Sequence, residues 1–189
     1  MTEREVLALY EKSGALMRGH FKLTSGLHSG LYLQSALVLQ YPDHAEALGR
    51  ALAAPFADAH VTAVVAPAIG GIPVSHEVAR ALGARALFTE RESGIMTLRR
   101  GFTIAPGERC LVVEDVMTTG GSTREVVSCV ESQRATVVGV GVLVDRSGGA
   151  ATFSVRQVAL AKIEAVNYAP EVCPLCQTGN PAVKPGSRA

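Results

Sequence analysis

Two apolar runs, Val61-Thr62-Ala63-Val64-Val65-Ala66 and Thr136 to Val144, constrain the fold of this chain more than any other feature. Neither alternates apolar with polar residues, as a half-solvated strand would. Continuous β-branched runs of this kind belong to strands covered on both faces, the condition of a parallel sheet. Helical signals stand between and around them. Thr2-Glu3-Arg4-Glu5 has the spacing of a capping box ahead of Val6, Leu7, Leu9 and Tyr10, with Gly14 as the stop. Asp43-His44-Ala45-Glu46 predicts a second cap, leading into Ala47, Leu48, Ala51, Leu52 and Phe56. A third helix is expected from near Pro73 to Gly83, followed by a strand from Arg85 to Thr89 reached through a right-handed crossover. Ser122-Thr123-Arg124-Glu125 is a third capping box, with Val126, Val127 and Val130 on one face behind it. Strands alternating with capped helices predict an α/β fold with a mostly parallel central sheet flanked by helices.

The remaining segments carry weaker signals. Gly19 to Gln34 is polar and glycine-interrupted, which predicts a loop or short-hairpin region. Glu90 to Arg100 lacks any apolar period and is expected to be a mobile loop. Phe102 to Ile104 and Arg109 to Glu114, around the turn Ala105-Pro106-Gly107-Glu108, read as a hairpin. A strand is expected from Phe153 to Leu160, and a non-helical tail from Pro170 onward. At 189 residues the chain fits one domain, with its core at about 43–160 and a Cys/Pro/Gly-rich tail at 170–189.

Composition excludes several function classes. With 48% hydrophobic and 19% charged residues the chain is too apolar for disorder. Lys+Arg (18) and Asp+Glu (17) nearly balance, so no overall field exists to hold nucleic acid or an acidic membrane surface. Val61 to Ser75, the most apolar stretch, is short and interrupted by Pro67, Gly70, Gly71 and Pro73, so no membrane span is expected. The start Met-Thr-Glu-Arg-Glu-Val lacks the basic and apolar segments of a secretion signal, and a cytoplasmic address is expected. Cys110 and Cys129 read as core residues. Cys173-x-x-Cys176 is half of a zinc knuckle, but no second pair or nearby histidine in the sequence completes it, and it reads as structural or incidental.

Chemistry concentrates in Leu111 to Thr123. A buried strand ends in Glu114 and Asp115. Thr118 and Thr119 follow, then Gly120 and Gly121, then the helix start at Ser122 and Thr123. Glycines let backbone approach a ligand, and free amides at a helix entrance attract an anion, at the sheet's carboxyl edge where open α/β folds bind ligands. Carboxylates would repel the phosphate itself but accept hydrogen bonds from sugar hydroxyls. A ribose 5-phosphate satisfies both halves. The missing lysine after the glycines excludes a P-loop, and Gly139-Val140-Gly141 lies inside a strand run with no helix behind it, which excludes a dinucleotide fingerprint.

This segment resembles the phosphoribosyl pyrophosphate (PRPP) signature of the type I phosphoribosyltransferases. Gly19-His20-Phe21-Lys22-Leu23-Thr24-Ser25-Gly26 with Leu27-His28-Ser29 is similar to the N-terminal hood of the orotate-specific branch, which places a hood mainly in 1–40. Val144-Asp145-Arg146 resembles that branch's strand-end aspartate-arginine. Cys173-Pro174-Leu175-Cys176 and Lys184 to Arg188 resemble the tail of one bacterial group.

The resemblance implies transfer of the 5-phosphoribosyl group from PRPP to N1 of orotate, giving orotidine 5′-monophosphate and pyrophosphate in pyrimidine biosynthesis. It places Glu114 and Asp115 on the ribose hydroxyls, and Thr118 to Thr123 on the 5-phosphate. Ile69, Gly70 and Gly71 take the pyrophosphate, and Tyr32, Leu33 and Arg146 the base. Mg2+ is implied as cofactor, reached by Glu114 and Asp115 through water. A homodimer is implied as well, with Arg99 and Arg100 serving the site in cis or in trans.

The chain departs from better-known members in three places. The loop to Arg100 has neither lysine nor histidine, so Arg91, Arg99 and Arg100 are the cations expected to meet phosphoryl charge, Arg99 and Arg100 in catalysis together with Asp115. Ile69-Gly70 stands where relatives carry a lysine, and Thr24 replaces their hood lysine. Lys22 reads as a surface charge, and His20 and His28 as hood scaffolding. Two other readings stay open: a purine-base phosphoribosyltransferase, and a PRPP-sensing regulator without catalysis.

Overall fold

The computed structural model describes residues 1–23 and 25–185. Helix α1 (Glu3–Lys12) has both halves of its capping box, with Thr2 Oγ1 accepting from the Glu5 amide and the Glu5 carboxylate accepting from the Thr2 amide at 2.7 Å. Strands β1 (Leu16–Lys22) and β2 (His28–Leu33) form a hairpin, followed by α2 (Ala36–Leu39) and α3 (Pro42–Ala53). Then come β3 (Ala63–Pro67), α4 (Gly71–Leu82), β4 (Arg85–Glu92), β5 (Ile95–Leu98), β6 (Arg109–Met117) and α5 (Gly121–Ser132). The chain closes with β7 (Thr136–Asp145), β8 (Gln157–Lys162) and the short β9 (Asn167–Tyr168).

The main sheet has the order β5-β4-β3-β6-β7-β8 and is parallel except where β4 meets β5. A second sheet, β1-β2-β9, pairs the N-terminal hairpin with the chain's last strand. Side chains alternate across the main sheet with a period of two. Val64, Ala66, Leu111 and Val113 face one core with Tyr10 of α1, Leu48 and Leu52 of α3, and Val78 of α4. Ala63, Val65, Cys110 and Val112 face the other, with Val126 and Val130 of α5. The continuous apolar runs are thus explained by helices on both faces. The same alternation sends Asp115 toward the first face and Glu114 toward α5. Among the described residues no helix is long and apolar enough to cross a membrane.

Several local expectations are corrected. Glu90 to Arg100 is a hairpin: β4 runs to Glu92, turns through Ser93 and Gly94 at φ 52° and 85°, and returns as β5 with Thr89 opposite Leu98. Its outer residues are exposed and held by polar pairs, Arg100 with Glu90 at 2.8 Å and Arg99 with Glu92 at 3.4 Å, so no apolar period marks it. The hairpin expected at Phe102 to Glu114 does not form. β6 inserts in parallel between β3 and β7, and Phe102 packs edge-on to Phe88 while Ile104 is buried, so this segment binds through side chains. Asp43 lies within the first turn of α3, because Pro42 takes the position that spares a backbone donor and Tyr41 becomes the cap. Ser122 does not cap α5. Gly120, at φ 75°, occupies that position, Thr123 is drawn to Glu114, and Glu125 pairs with Arg91 at 2.7 Å.

The glycines of β7 have a packing role. A Cβ on Gly139 would lie 2.4 Å from Phe56 Cε1 and 2.9 Å from the Arg156 carbonyl oxygen, and one on Gly141 would lie 3.1 Å from Leu52. β7 must therefore approach α3 and the following turn closely. Gly139→Ala is expected to destabilise the chain by about 1–3 kcal/mol through overpacking, read as a lower midpoint in urea with unchanged slope. A midpoint equal to wild type would show that this approach does not restrain the fold.

Candidate active site

At the carboxyl edge of β6 the two acidic residues occupy different environments. Glu114 is buried, 9% exposed, and Thr123 Oγ1 of α5 donates to its Oε2. Burial raises its carboxyl pKa from 4.5 to about 7, against the opposing effect of the Thr123 hydrogen bond, with the charge of Asp115 adding to the rise. Asp115 points to the opposite face and is half-buried. The Ser35 hydroxyl and the amides of Val116 and Asp115 hydrogen-bond to its carboxylate, yet burial still outweighs them and raises its pKa. Ser35 in turn meets the buried Tyr10 hydroxyl at 3.2 Å. A chain Tyr10, Ser35, Asp115 thus orients one carboxylate, and Thr123 orients the other.

Glycine is required beside Asp115. A Cβ on Gly70 would stand 2.7 Å from Asp115 Oδ2 and 2.8 Å from its Cγ, so only glycine allows the loop after β3 to lie against the carboxylate. Gly71 opens α4, and its Cβ would lie 2.8 Å from that of Ala66. Ile69 joins Ala68 through a cis peptide and is 82% exposed. Across the site, Gly120 turns the chain in the left-handed region into α5, whose entrance has no side-chain cap. The first amides of α5 lack intrahelical acceptors, and their partial positive charge faces outward beside Thr118 and Thr119.

These elements border a cavity of about 890 Å³. Gly70, Asp115, Thr118, Thr119, Tyr32, Leu33 and Arg146 all line it, so the structure brings together the residues singled out for sugar, phosphate and base. Arg146 is half-buried, with Nη2 donating to Ser29 Oγ and the Leu31 carbonyl at 3.4 Å each. Its Nε is buried without a partner, and burial lowers its pKa.

Other residues fall outside the lining. Glu114, Ile69, Gly71 and Gly120 to Thr123 lie behind it or at its edge. Arg91, Arg99 and Arg100 are on the β4–β5 hairpin and its exit, each paired with a glutamate, and none lines the cavity. Thr24 and the tail residues Gly186 to Arg188 lie outside the described residues. Sequence reasoning missed Tyr10 and Ser35, which carry no local motif, and the wall formed by Glu164 to Asn167, which is far in sequence from every signature.

Comparison with known proteins agrees with this geometry. Residues 38–174 match a family model described as the phosphoribosyl transferase domain. Orotate phosphoribosyltransferase of Pelotomaculum thermopropionicum is 62% identical over 188 residues, covering 100% of this chain and 99% of that protein. The orotate phosphoribosyltransferase of Desulforamulus reducens is 55% identical, covering 100% and 98%. Among solved structures, orotate phosphoribosyltransferase from Aeropyrum pernix superposes with a TM-score of 0.68 at 30% identity, over 84% of this chain and 93% of that one. Adenine phosphoribosyltransferase from Rhodothermus marinus shares the fold, with a TM-score of 0.66 at 21% identity over 83% and 99%. With a family match across residues 38–174 and relatives of 62% and 55% identity aligned over the whole chain, the chain belongs to the phosphoribosyltransferase family.

Proposed function

We infer that this chain transfers the 5-phosphoribosyl group of PRPP to N1 of orotate, releasing pyrophosphate and forming orotidine 5′-monophosphate for pyrimidine synthesis. The observation that carries the reading is the carboxylate of Asp115, held at the cavity floor by Gly70 and Ser35 and flanked by the uncapped entrance of α5. The names of the full-length relatives specify the base.

Each residue then has a chemical task. The amides of Thr118 to Ser122 and the hydroxyls of Thr118, Thr119 and Ser122 would bind the 5-phosphate, whereas the Thr123 hydroxyl, expected from the sequence to join them, is buried and donates to Glu114 instead. Asp115 and Glu114 would accept hydrogen bonds from the ribose hydroxyls and fix the ring, so that the anomeric carbon faces the base. Backbone amides at Ile69, Gly70 and Gly71 would approach the pyrophosphate, since no Cβ intervenes at the two glycines. The Arg146 guanidinium, at the cavity wall, would pair with an acceptor on orotate, while the Tyr32-Leu33 turn borders the ring edge. The displacement passes through a transition state with oxocarbenium character, so it needs charge stabilisation on the leaving pyrophosphate more than proton transfer.

Mg2+ fits this donor set. Two carboxyls whose burial raises their pKa, with no cation beside them among the described residues, are ionised more readily by a divalent ion, which they would reach through water. When bound, the ion supplies neutralising charge to pyrophosphate and ribose oxygens.

We also propose a homodimer. Arg99 and Arg100 do not line their own chain's cavity, and a partner would receive them in its site. The free cysteines fit a reducing cytoplasm.

The direct test follows orotate absorbance with PRPP and magnesium, with uracil and adenine as control bases. Orotate alone is expected to be consumed, and Arg99→Ala/Arg100→Ala is expected to cut turnover at least about tenfold, one lost charge-assisted contact in the transition state. Turnover of adenine but not orotate would overturn the substrate, and undiminished turnover in the double variant would overturn the arginine role.

A second prediction concerns pH. Between pH 4.5 and about 7 the folded chain keeps a proton on Glu114 that the unfolded chain has lost, so this group lowers stability as pH rises through that window. The loss is on the order of 3 kcal/mol by pH 8. Glu114→Gln removes it and preserves an acceptor for Thr123. The variant is expected to be more stable than wild type at pH 8, with the difference shrinking toward pH 5, while PRPP turnover falls. An equal difference in denaturation midpoint at both pH values would contradict this.

A further inference from the structure

A second constellation lies away from the cavity, where the hood meets the tail. His20, His28, Cys173 and Cys176 each bring one ligand atom to within 4.8 Å of the others. His20 Nε2 lies 2.9 Å from His28 Nδ1, 3.7 Å from Cys173 Sγ and 3.8 Å from Cys176 Sγ, and Cys176 Sγ lies 3.3 Å from His28 Nδ1. Zinc bonds of about 2.0 Å to nitrogen and about 2.3 Å to sulfur imply tetrahedral edges of about 3.3 Å between nitrogens and about 3.5 Å between nitrogen and sulfur. The nitrogen–sulfur separations of 3.3–3.8 Å bracket their edge, and the nitrogen–nitrogen separation of 2.9 Å lies a few tenths of an ångström inside its own, a small opening of the pair that side-chain rotation supplies.

The sequence reading of Cys173-x-x-Cys176 as a pair without histidines is thereby corrected. In β1 and β2, His28 stands opposite Lys22, and His20 lies two residues before Lys22 on the same strand face, as a diagonal neighbour. The register slips between Arg18 and Phe21, a bulge that sets the direction of His20. The tail brings its cysteines alongside, anchored by β9 on β2 and by Val183, whose amide donates to the His20 carbonyl at 2.9 Å and whose carbonyl accepts from Lys22 at 2.8 Å.

The partners around the cluster favour a cation. His20 Nδ1 lies 2.8 Å from the Asn180 carbonyl oxygen, which only accepts, so Nδ1 carries the proton and Nε2 turns its lone pair inward. A metal-bound imidazole is commonly held by this kind of outer contact. A hydrogen bond from His28 would satisfy His20 alone, leaving two thiols, which are weak donors, crowded on the same point. His20, His28 and Cys173 are buried, and four protein ligands leave no open position, as in structural rather than catalytic sites.

We propose that His20, His28, Cys173 and Cys176 form a structural zinc site that fastens the C-terminal tail to the hood. Two thiolates with two imidazoles in a tetrahedral arrangement select Zn2+ over Mg2+ or Ca2+. The ion would couple two walls of the cavity, because β2 carries Tyr32 and Leu33 and the wall from Glu164 to Asn167 leads into β9. This does not depend on which base the enzyme uses.

The test begins with the full chain, purified from zinc-supplemented medium and gel-filtered without chelator, its metals measured by elemental mass spectrometry. One zinc per chain is expected in wild type and almost none in Cys173→Ser/Cys176→Ser. Removing zinc from wild type is expected to lower the thermal midpoint by roughly 5 °C or more, restored by zinc and not by magnesium. If the double variant is insoluble, cobalt exchange into wild type decides, because tetrahedral thiolate-bound cobalt gives intense visible bands and near-ultraviolet charge transfer. A wild-type chain that takes up neither metal, a folded double variant that retains zinc undiminished, or a Cys173–Cys176 disulfide in the freshly purified protein would overturn the proposal.

Discussion

Asp115 pressed against Gly70 is the contact on which the site depends. A carboxylate at the mouth of a buried parallel strand tends to lose its charge or turn toward water. Here Ser35 and two backbone amides hold its oxygens, and the loop after β3 comes so close that a single added carbon would collide with it. The loops after two neighbouring strands therefore share one position, and a ligand that touches one touches the other. The α5 entrance, following closely on β6, completes the arrangement with amides that lack intrahelical acceptors, Gly121 meeting only the Thr119 hydroxyl at 3.4 Å.

That arrangement has an energetic cost visible in the free chain. Both carboxyls resist ionisation because burial outweighs their hydrogen bonds. Sugar hydroxyls and a divalent cation would reverse the balance by adding further donors and positive charge to those carboxylates. The site is consequently less favourable to fold around when ionised than a neutral isostere would be, a common form of compromise between stability and activity. The rigid frame offsets this: β3, β6 and β7 are covered on both faces, so the strand ends that carry the site have little freedom to relax.

What was legible in the sequence follows from how local each signal is. The runs at Val61–Ala66 and Thr136–Val144, the acid-tipped strand and the glycines before α5 are written in contiguous residues, and the structure sets them where a parallel sheet requires. Gly70, Asp115, Thr118, Thr119, Arg146, Tyr32 and Leu33 surround one cavity. The β4–β5 hairpin was illegible as strand because salt bridges, not apolar alternation, hold its exposed arms. Phe102 and Ile104 read as strand residues, but Ile104 is buried and Phe102 packs on Phe88, while the Phe102 amide turns back to the Arg99 carbonyl at 3.0 Å instead of joining a ladder. Ser122 resembled a cap, but the helix begins at a left-handed glycine that sequence spacing does not reveal. Tyr10, Ser35 and the pairing of His20 and His28 with the tail cysteines arise only from long-range packing, in residues separated by tens to more than a hundred positions.

The most direct measurement is a crystal structure of the chain with PRPP and magnesium, or with orotidine 5′-monophosphate. The account predicts the 5-phosphate on the amides from Thr118 to Ser122, the ribose hydroxyls on Asp115 and Glu114, and, in the nucleotide complex, the pyrimidine against Arg146. Density for the sugar phosphate anywhere other than this sheet edge, with Asp115 still bonded only to Ser35 and its own backbone, would contradict it.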